Sequence, residues 1–182
     1  MLDLSDNSII EKEDLRQDWE LFKWCLEINN ISFLYHFTDI NNITSIKRYQ
    51  NIYSRDYLIK NNINFIPGSD STSVELEEKR GLQNYIHLSV ATFQYIYFNK
   101  ANITVIKVDP RIVYLKTTKF SIYNANDSKT KIGDRFDDFH RIKFGFCKSD
   151  KHFEKNSEEF KSHQAEVLVL KNIPIKFLYR VS

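Results

Sequence analysis

The stretch "SHQAEVLVL", residues 162–170, sets a short apolar run beside an acid, Glu166, that follows directly on Gln164 and Ala165. The run itself, partly β-branched, predicts a buried strand. A carboxylate in such a place costs several kcal/mol unless something pairs with it. In a strand, Ala165, Val167 and Val169 share one face, while Gln164, Glu166, Leu168 and Leu170 share the other. Glu166 therefore lies on a side with two leucines, and polar-out alternation does not place it. Two readings stay open: a solvent-exposed start to the strand, or a position where an acid is used.

Further strand signals surround this one. "IKFLYRV", 175–181, predicts a last short strand, and "ISFLYHF", 31–37, an early one rich in β-branched and aromatic residues. "NYIHLSVATFQYIYF", 84–98, and "ITVIKVD", 103–109, are separated by a polar tip at 99–102 and predict a hairpin. Leu15, Trp19, Leu21, Phe22, Cys25 and Leu26 recur at helical spacing, which predicts one amphipathic helix over 8–30 ending at Asn29 and Asn30. Thr38 or Asp39 is expected to cap a short helix through "INNITSIKRY".

The middle of the chain, 50–82, reads mostly as loop with a helix through "RDYLIKNN". Residues 111–134 turn from apolar to polar and predict an exposed excursion. Helical character returns around 135–143, and a charged, Ser-containing stretch fills 148–163. The order predicts an α+β chain on a mainly antiparallel sheet.

A chain of 182 residues supports one domain with a full core. Its 26 Lys and Arg against 24 Asp and Glu leave a formal charge of +2, so no global field drives it onto nucleic acid, and an anionic partner must be held locally. Cys25 and Cys147 form no CxxC or Cys/His cluster, so neither a disulfide framework nor a zinc site is suggested, which suits a reducing cytoplasm. No apolar run reaches the roughly 18–20 residues needed to span a bilayer. The acidic start "MLDLSDNSIIEKED" lacks the pattern of a signal peptide. A cytoplasmic protein without membrane attachment is expected.

Several residues invite a chemical reading beside a plain one. His36, within "YHFT", is either a packing histidine or a ligand-binding one. Arg55, between Tyr53 and Tyr57, is either half of a surface ion pair or a clamp for a pyrophosphate or a base. "PGSDSTS", 67–73, offers hydroxyls but lacks the lysine and context of a P-loop. "KRG" at 79–81 and "RIKF" at 141–144 add local positive charge. No Ser-His-Asp order, Cys-His pair or HExxH motif is present.

Taken together, "LYHFTDINNITSI", "NIYSRDYL", "KRGLQNYIHLS" and "QAEVLVLKNIPIKFL" resemble, in order from about residue 33 to 180, the DarT family of single-stranded DNA ADP-ribosyltransferases. The resemblance implies an ADP-ribosyltransferase-type split antiparallel β-sheet with flanking helices. It also implies a division into an N-terminal helical segment, 1–30, and a DarT-like domain, 31–182. NAD would be the ADP-ribose donor, with no metal, and a base of single-stranded DNA the acceptor. His36 and Thr38 would bind NAD through its adenosine ribose, Arg55 would hold the NAD phosphates or polarise the base, and Glu166 would be the catalytic glutamate. Gln164, in the Q-x-E spacing, would stand beside the acceptor.

These roles agree with the chemistry. Cleavage between nicotinamide and ribose builds positive charge at C1′, which a preorganised carboxylate steadies. The same group can take the proton lost by the attacking nitrogen. Tyr53, Tyr57 and Tyr85 offer stacking faces for unpaired bases, and "NANDSKTKIGD" offers a substrate-facing loop. The resemblance further implies a toxin of a toxin–antitoxin or phage-defence system, countered by a macrodomain antitoxin of the DarG type. After "YIHLS" the text "VATFQYIYF" departs from the family's usual His-Pro-Met-like turn. That motivates two rival readings: the same fold acting on RNA or protein, and a non-catalytic nucleic-acid-binding module.

Overall fold

The computed structural model describes residues 8–68, 71–91, 102–149, 153–155 and 157–179. The first half of the chain runs α1 (Trp19–Ile28), β1 (Leu34–Asp39), α2 (Asn42–Tyr49), β2 (Asn51–Tyr53), α3 (Arg55–Lys60), α4 (Ser71–Lys79) and β3 (Tyr85–Ser89). There follow β4 (Ile103–Val108), a 3-10 turn at Pro110–Tyr114, β5 (Lys119–Ser121), β6 (Ile132–Gly133), α5 (Phe136–His140) and α6 (Phe144–Cys147). The chain closes with α7 (Glu158–His163), β7 (Glu166–Leu170), β8 (Asn172–Pro174), a second 3-10 turn and β9 (Leu178–Tyr179).

Among the described residues seven strands form one sheet in the order β6-β5-β7-β3-β1-β4-β9, and every pairing between them is antiparallel. β1 and β4 pair along six residues and β3 and β7 along five, yet β1 meets β3 only where Tyr35 faces Ser89. The sheet thus parts between β1 and β3, the split architecture expected. Of the expected hairpin of 84–98 with 103–109, the described part of the first arm does not pair with the second. β1 lies between β3 and β4, and β4 takes β1 and β9 as neighbours. Residues 92–98 fall outside the described part.

The strand alternation read from "AEVLVL" holds. Val167 and Val169 enter the main core, while Leu168 packs on the opposite face with Leu82 and Ala125. The main core also takes Ile10, Phe22, Cys25 and Leu26 from the first thirty residues. Phe22 is fully buried, with its ring centroid 5.2 Å from that of Phe139 and 5.4 Å from that of Phe120. Burying each such ring contributes about 1.5–3 kcal/mol.

The first helix is shorter than its periodicity predicts. Residues 8–18 instead lie against the 3-10 turn: Leu15 bridges Leu115, the Arg16 N–H donates to the Tyr114 carbonyl, and the Lys116 N–H donates to that of Asp14. The Arg16 guanidinium lies 4.0 Å from the Phe22 ring centroid and donates to the carbonyls of Leu115, Thr118 and Asp134. These tertiary bonds outweigh helix propensity there. Asn29 caps the end of α1, and Asn30 follows at φ 49°.

Three further expectations are corrected. Thr38 and Asp39 belong to β1, and Asn41 holds the N-cap position of α2. Asp39 accepts the Asn41 N–H at 2.9 Å in the turn between the two elements. The stretches 71–79 and 158–163, read as loop or charged linker, are helices; Ser157 caps the second by accepting the Phe160 N–H at 3.1 Å. The 111–134 segment is folded in: Ile112, Val113, Tyr114, Ala125 and Thr130 are buried, and Ser121 and Thr130 hydroxyls meet at 3.0 Å.

Candidate active site

Glu166 begins β7 where the chain leaves α7, opposite Ser89 on one side and Ser121 on the other. It is 8% exposed, so it is not a solvent-exposed strand start. Two donors meet at one of its oxygens: the Ala125 N–H lies 2.8 Å and His87 Nδ1 3.2 Å from Oε2. Burial works against a charge on His87. The adjacent Glu166 carboxylate, by charge and hydrogen bond and with help from Glu77, outweighs it, so the His87 pKa is raised.

His36 stands across the split in the sheet. Its Nδ1 lies 3.4 Å from the His87 carbonyl, which can only accept, so this nitrogen carries the hydrogen. Burial pushes the His36 pKa down to about 4, aided by the charge of His87 and opposed by the bond to the His87 carbonyl. Near neutral pH His36 is therefore an uncharged imidazole whose Nε2 has a lone pair to offer. Thr38, two residues on, is buried, and its hydroxyl accepts from Asn42 Nδ2 at 3.1 Å.

Arg55 opens α3, where Ser54 caps the helix by accepting the Tyr57 N–H. Its guanidinium donates to Glu77 Oε2 of α4 at 2.5 Å, with the two side chains 17% and 11% exposed. At such burial the pair fixes the direction of the guanidinium, which keeps its charge. The ion pair of Arg55 is thus with Glu77 and mostly buried rather than at the surface, while its neighbour Asp56 takes Lys60 at 2.7 Å.

His36, Thr38, Arg55, Gln164 and Glu166 all line one cleft of about 590 Å³. Gln164 arrives there by another route than strand alternation, because it is the C-cap of α7 and β7 starts two residues later. Pro67, Gly68 and Ser73 also line the cleft, as do Tyr53 and Tyr85. Tyr53 and Tyr57 stack on each other at 4.2 Å, so these two facing rings are already occupied. Arg80 of "KRG" is a clamp rather than a nucleic-acid patch, donating to the carbonyls of Asp127 and Thr130. It thereby ties α4 to the loop that carries Ala125.

Sequence reasoning passed over Glu77, His87 and Tyr123, which line the cleft beside Asn124, Asn126 and Asp127 of the loop expected to face the substrate. Glu77 sits in "VELEEKR", which reads as a solvated helix face. His87 alternates with buried Ile86 and Leu88, which marks it only as pointing away from the main core. That placement on the face shared with Glu166 was the available signal.

The cleft volume lies in the range of small-molecule sites, about 300–1,000 Å³. Arg55 and Lys161, two imidazoles and several hydroxyls and amides share a partly apolar cleft with the carboxylates of Glu77, Asp127 and Glu166, a set that suits a large polar ligand such as a dinucleotide. Asn126 Oδ1 and His87 Nε2 are buried with no hydrogen-bond partner among the described residues. Among the described residues no group of His, Cys, Asp and Glu is arranged to hold a metal ion. None of their helices is long and apolar enough to cross a membrane.

Comparison with known proteins agrees with this geometry. The family described as "ssDNA thymidine ADP-ribosyltransferase, DarT" matches residues 35–182. No curated protein matches the sequence. The fold is similar to that of Thermosipho africanus DarTG in complex with ADP-ribose, at TM-score 0.70 and 19% identity over 81% of this chain. The match spans 42% of that longer chain. Thermus sp. 2.9 DarT in complex with ADP-ribosylated ssDNA gives TM-score 0.62 at 13% identity, covering 82% of this chain and 79% of that one. The same Thermus protein in complex with NAD+ gives 0.59 at 12% identity, covering 81% and 79%. With a family match over residues 35–182 and a split sheet that carries the cleft, the chain belongs to the DarT family.

Proposed function

We propose that this chain transfers ADP-ribose from NAD to a thymidine base in single-stranded DNA. The observation that carries the proposal is the convergence of Glu166, Arg55 and His36, far apart in sequence, on one cleft in a DarT-family fold. Glu166, with Oε2 held from behind, turns its carboxylate toward the ribose, where it steadies the positive charge growing at C1′ and holds the 2′-hydroxyl. The bond to nicotinamide breaks with its electron pair leaving on the nicotinamide nitrogen. The base nitrogen then bonds to C1′, and Glu166 takes the proton that nitrogen loses.

Arg55 supplies fixed positive charge to the NAD phosphates, its direction set by Glu77. His36 receives a ribose hydroxyl at Nε2, with Thr38 beside it. Gln164, at the mouth of β7, faces the incoming base, and the loop around Asn124–Asp127 forms the wall on that side. Single strands suit this arrangement because the pairing edge of thymine is blocked in a duplex, and extruding the base costs a few kcal/mol.

By the pattern of the family, the protein acts in the cytoplasm as the toxin of a toxin–antitoxin pair, and a DarG-type macrodomain removes the mark. The N-terminal segment, whose described residues 8–30 include α1, serves as a brace to the domain formed by 31–182. The test is transfer of label from adenine-tagged NAD to single-stranded DNA, duplex DNA, RNA and a protein lysate. Label confined to thymidine-containing single strands is expected. Label on RNA or protein alone would replace the acceptor, and no label on any acceptor from a folded protein would mean a non-catalytic module.

A further inference from the structure

The two donors on Glu166 come from different places and meet at the same atom. The Ala125 N–H reaches Oε2 from the loop after β5, at 2.8 Å, and His87 Nδ1 reaches it from β3, at 3.2 Å. Among the described residues Oε1 makes no hydrogen bond, and Glu166 lines the cleft. The carboxylate is therefore asymmetric, with one oxygen fixed to the wall and the other left to the ligand. His87 also joins the two halves of the split sheet, because its carbonyl accepts from His36 Nδ1 across the gap between β1 and β3. Its Nε2 is buried without a hydrogen-bond partner among the described residues, so the ring is held through Nδ1.

We infer that His87 is a positioning residue that, with the Ala125 N–H, locks Glu166 so that Oε1 faces the ribose. This rests on Glu166 as the group that meets the ribose. The reasoning is one of preorganisation: a carboxylate free to rotate must be ordered again in every transition state, whereas one already pinned stabilises developing charge without reorganisation. Among the described residues, the charged or titratable groups facing His87 are Glu166 on β7, Glu77 on α4, Arg55 on α3 and His36 on β1. Two are carboxylates, which favour the imidazolium; Arg55 opposes it. The charged ring donates the stronger bond, so the lock is tightest while His87 keeps its second proton.

The test compares the full-length wild type with His87→Asn, His87→Leu and Glu166→Gln, measuring kcat and KM for NAD on a single-stranded oligonucleotide across pH. Asn places an N–H close to the position of Nδ1 without a titrating ring. His87→Leu should lower kcat about 10- to 100-fold with KM for NAD changed less than about threefold, and His87→Asn should restore most of kcat. In the wild type kcat should fall about five- to tenfold on the alkaline side as the charge-assisted bond becomes a neutral one, and this limb should vanish in His87→Asn.

Wild-type kcat in His87→Leu, no rescue by Asn, or an alkaline limb that persists in His87→Asn would each overturn the inference. If His87→Leu fails to fold, the pH profile of His87→Asn decides alone. Glu166→Gln separates the two levels. An inactive Glu166→Gln beside unaffected His87 variants removes only the positioning role, while a fully active Glu166→Gln removes the reading of Glu166 on which it rests.

Discussion

Acidification should destabilise the wild-type fold by about 2–3 kcal/mol more than it destabilises a His36→Asn variant. His36 is neutral in the fold, with a pKa lowered by burial from the ordinary 6.5 to about 4 and its Nδ1–H given to the His87 carbonyl. Because the unfolded chain binds this proton first, the contribution of His36 is fully present above 6.5 and drains away as the pH falls toward 4. Each tenfold preference for protonating the unfolded chain costs about 1.4 kcal/mol, so by about pH 4.5 the loss amounts to roughly 2–3 kcal/mol. His87 titrates in the opposite sense, since its raised pKa favours the fold at low pH and that gain is lost as the pH rises through its folded value.

Asn keeps a donor for the His87 carbonyl and removes the titrating ring, so other groups cancel when the two proteins are compared. Urea unfolding at several values from about pH 7.5 to 4.5, analysed by linear extrapolation, gives the difference directly. The two stability curves should run together above the ordinary histidine value and separate below it. Parallel curves throughout the acid range would refute the claim that His36 is held neutral by burial in this cleft.

Glu77→Gln keeps an acceptor for Arg55 but removes the charge from a pair that is mostly buried. It should lower stability by about 1–3 kcal/mol and NAD turnover by at least about tenfold, read by urea melts and label transfer; wild-type values for both would contradict the pair's role. Arg80→Met cuts the bonds to the Asp127 and Thr130 carbonyls and frees the loop that carries Ala125. It should cost about 1–3 kcal/mol in unfolding experiments and lower kcat more than it raises KM for NAD. Phe22→Ala should destabilise the protein by about 3–5 kcal/mol, because its ring is fully buried between Phe120 and Phe139. A loss below about 1 kcal/mol would show that this part of the core is loosely packed.

What the sequence made legible was local. Alternation in "AEVLVL" separated Val167 and Val169 from Glu166 and Leu168, and the structure keeps them on opposite faces. Alternation is a two-residue property, so no partner is needed to read it. β3 and β4 do not pair with each other, because adjacency in sequence says nothing of a third strand entering between two others. β1, more than fifty residues earlier than β4, takes that place. The 111–134 segment failed for a different reason. Its polar groups satisfy one another and Glu166, as with Ser121 and Thr130 or the Ala125 N–H, so polarity there does not mean exposure.

The same limit governs the cleft. Glu166 stood out because an acid is rare on an apolar strand, and Arg55 because it sits among tyrosines. Glu77 and His87 carry no such mark, since an acid on a charged helix and a histidine on an alternating strand are ordinary. Their importance arises only from contacts, to Arg55 at 2.5 Å and to Glu166 at 3.2 Å. Gln164 reached the cleft although the strand argument for it did not hold, because α7 runs straight into β7 and leaves little freedom to the residue between them.

The most direct test of the central claim is the mass of a single-stranded oligonucleotide with one thymidine after incubation with NAD and either wild-type protein or Glu166→Gln. The account predicts addition of one ADP-ribose by the wild type, none to an otherwise identical strand lacking thymidine, and a loss of rate of at least about a hundredfold in Glu166→Gln while the variant keeps its fold. An equal rate of addition by Glu166→Gln, or no addition by a folded wild type that binds NAD, would contradict it.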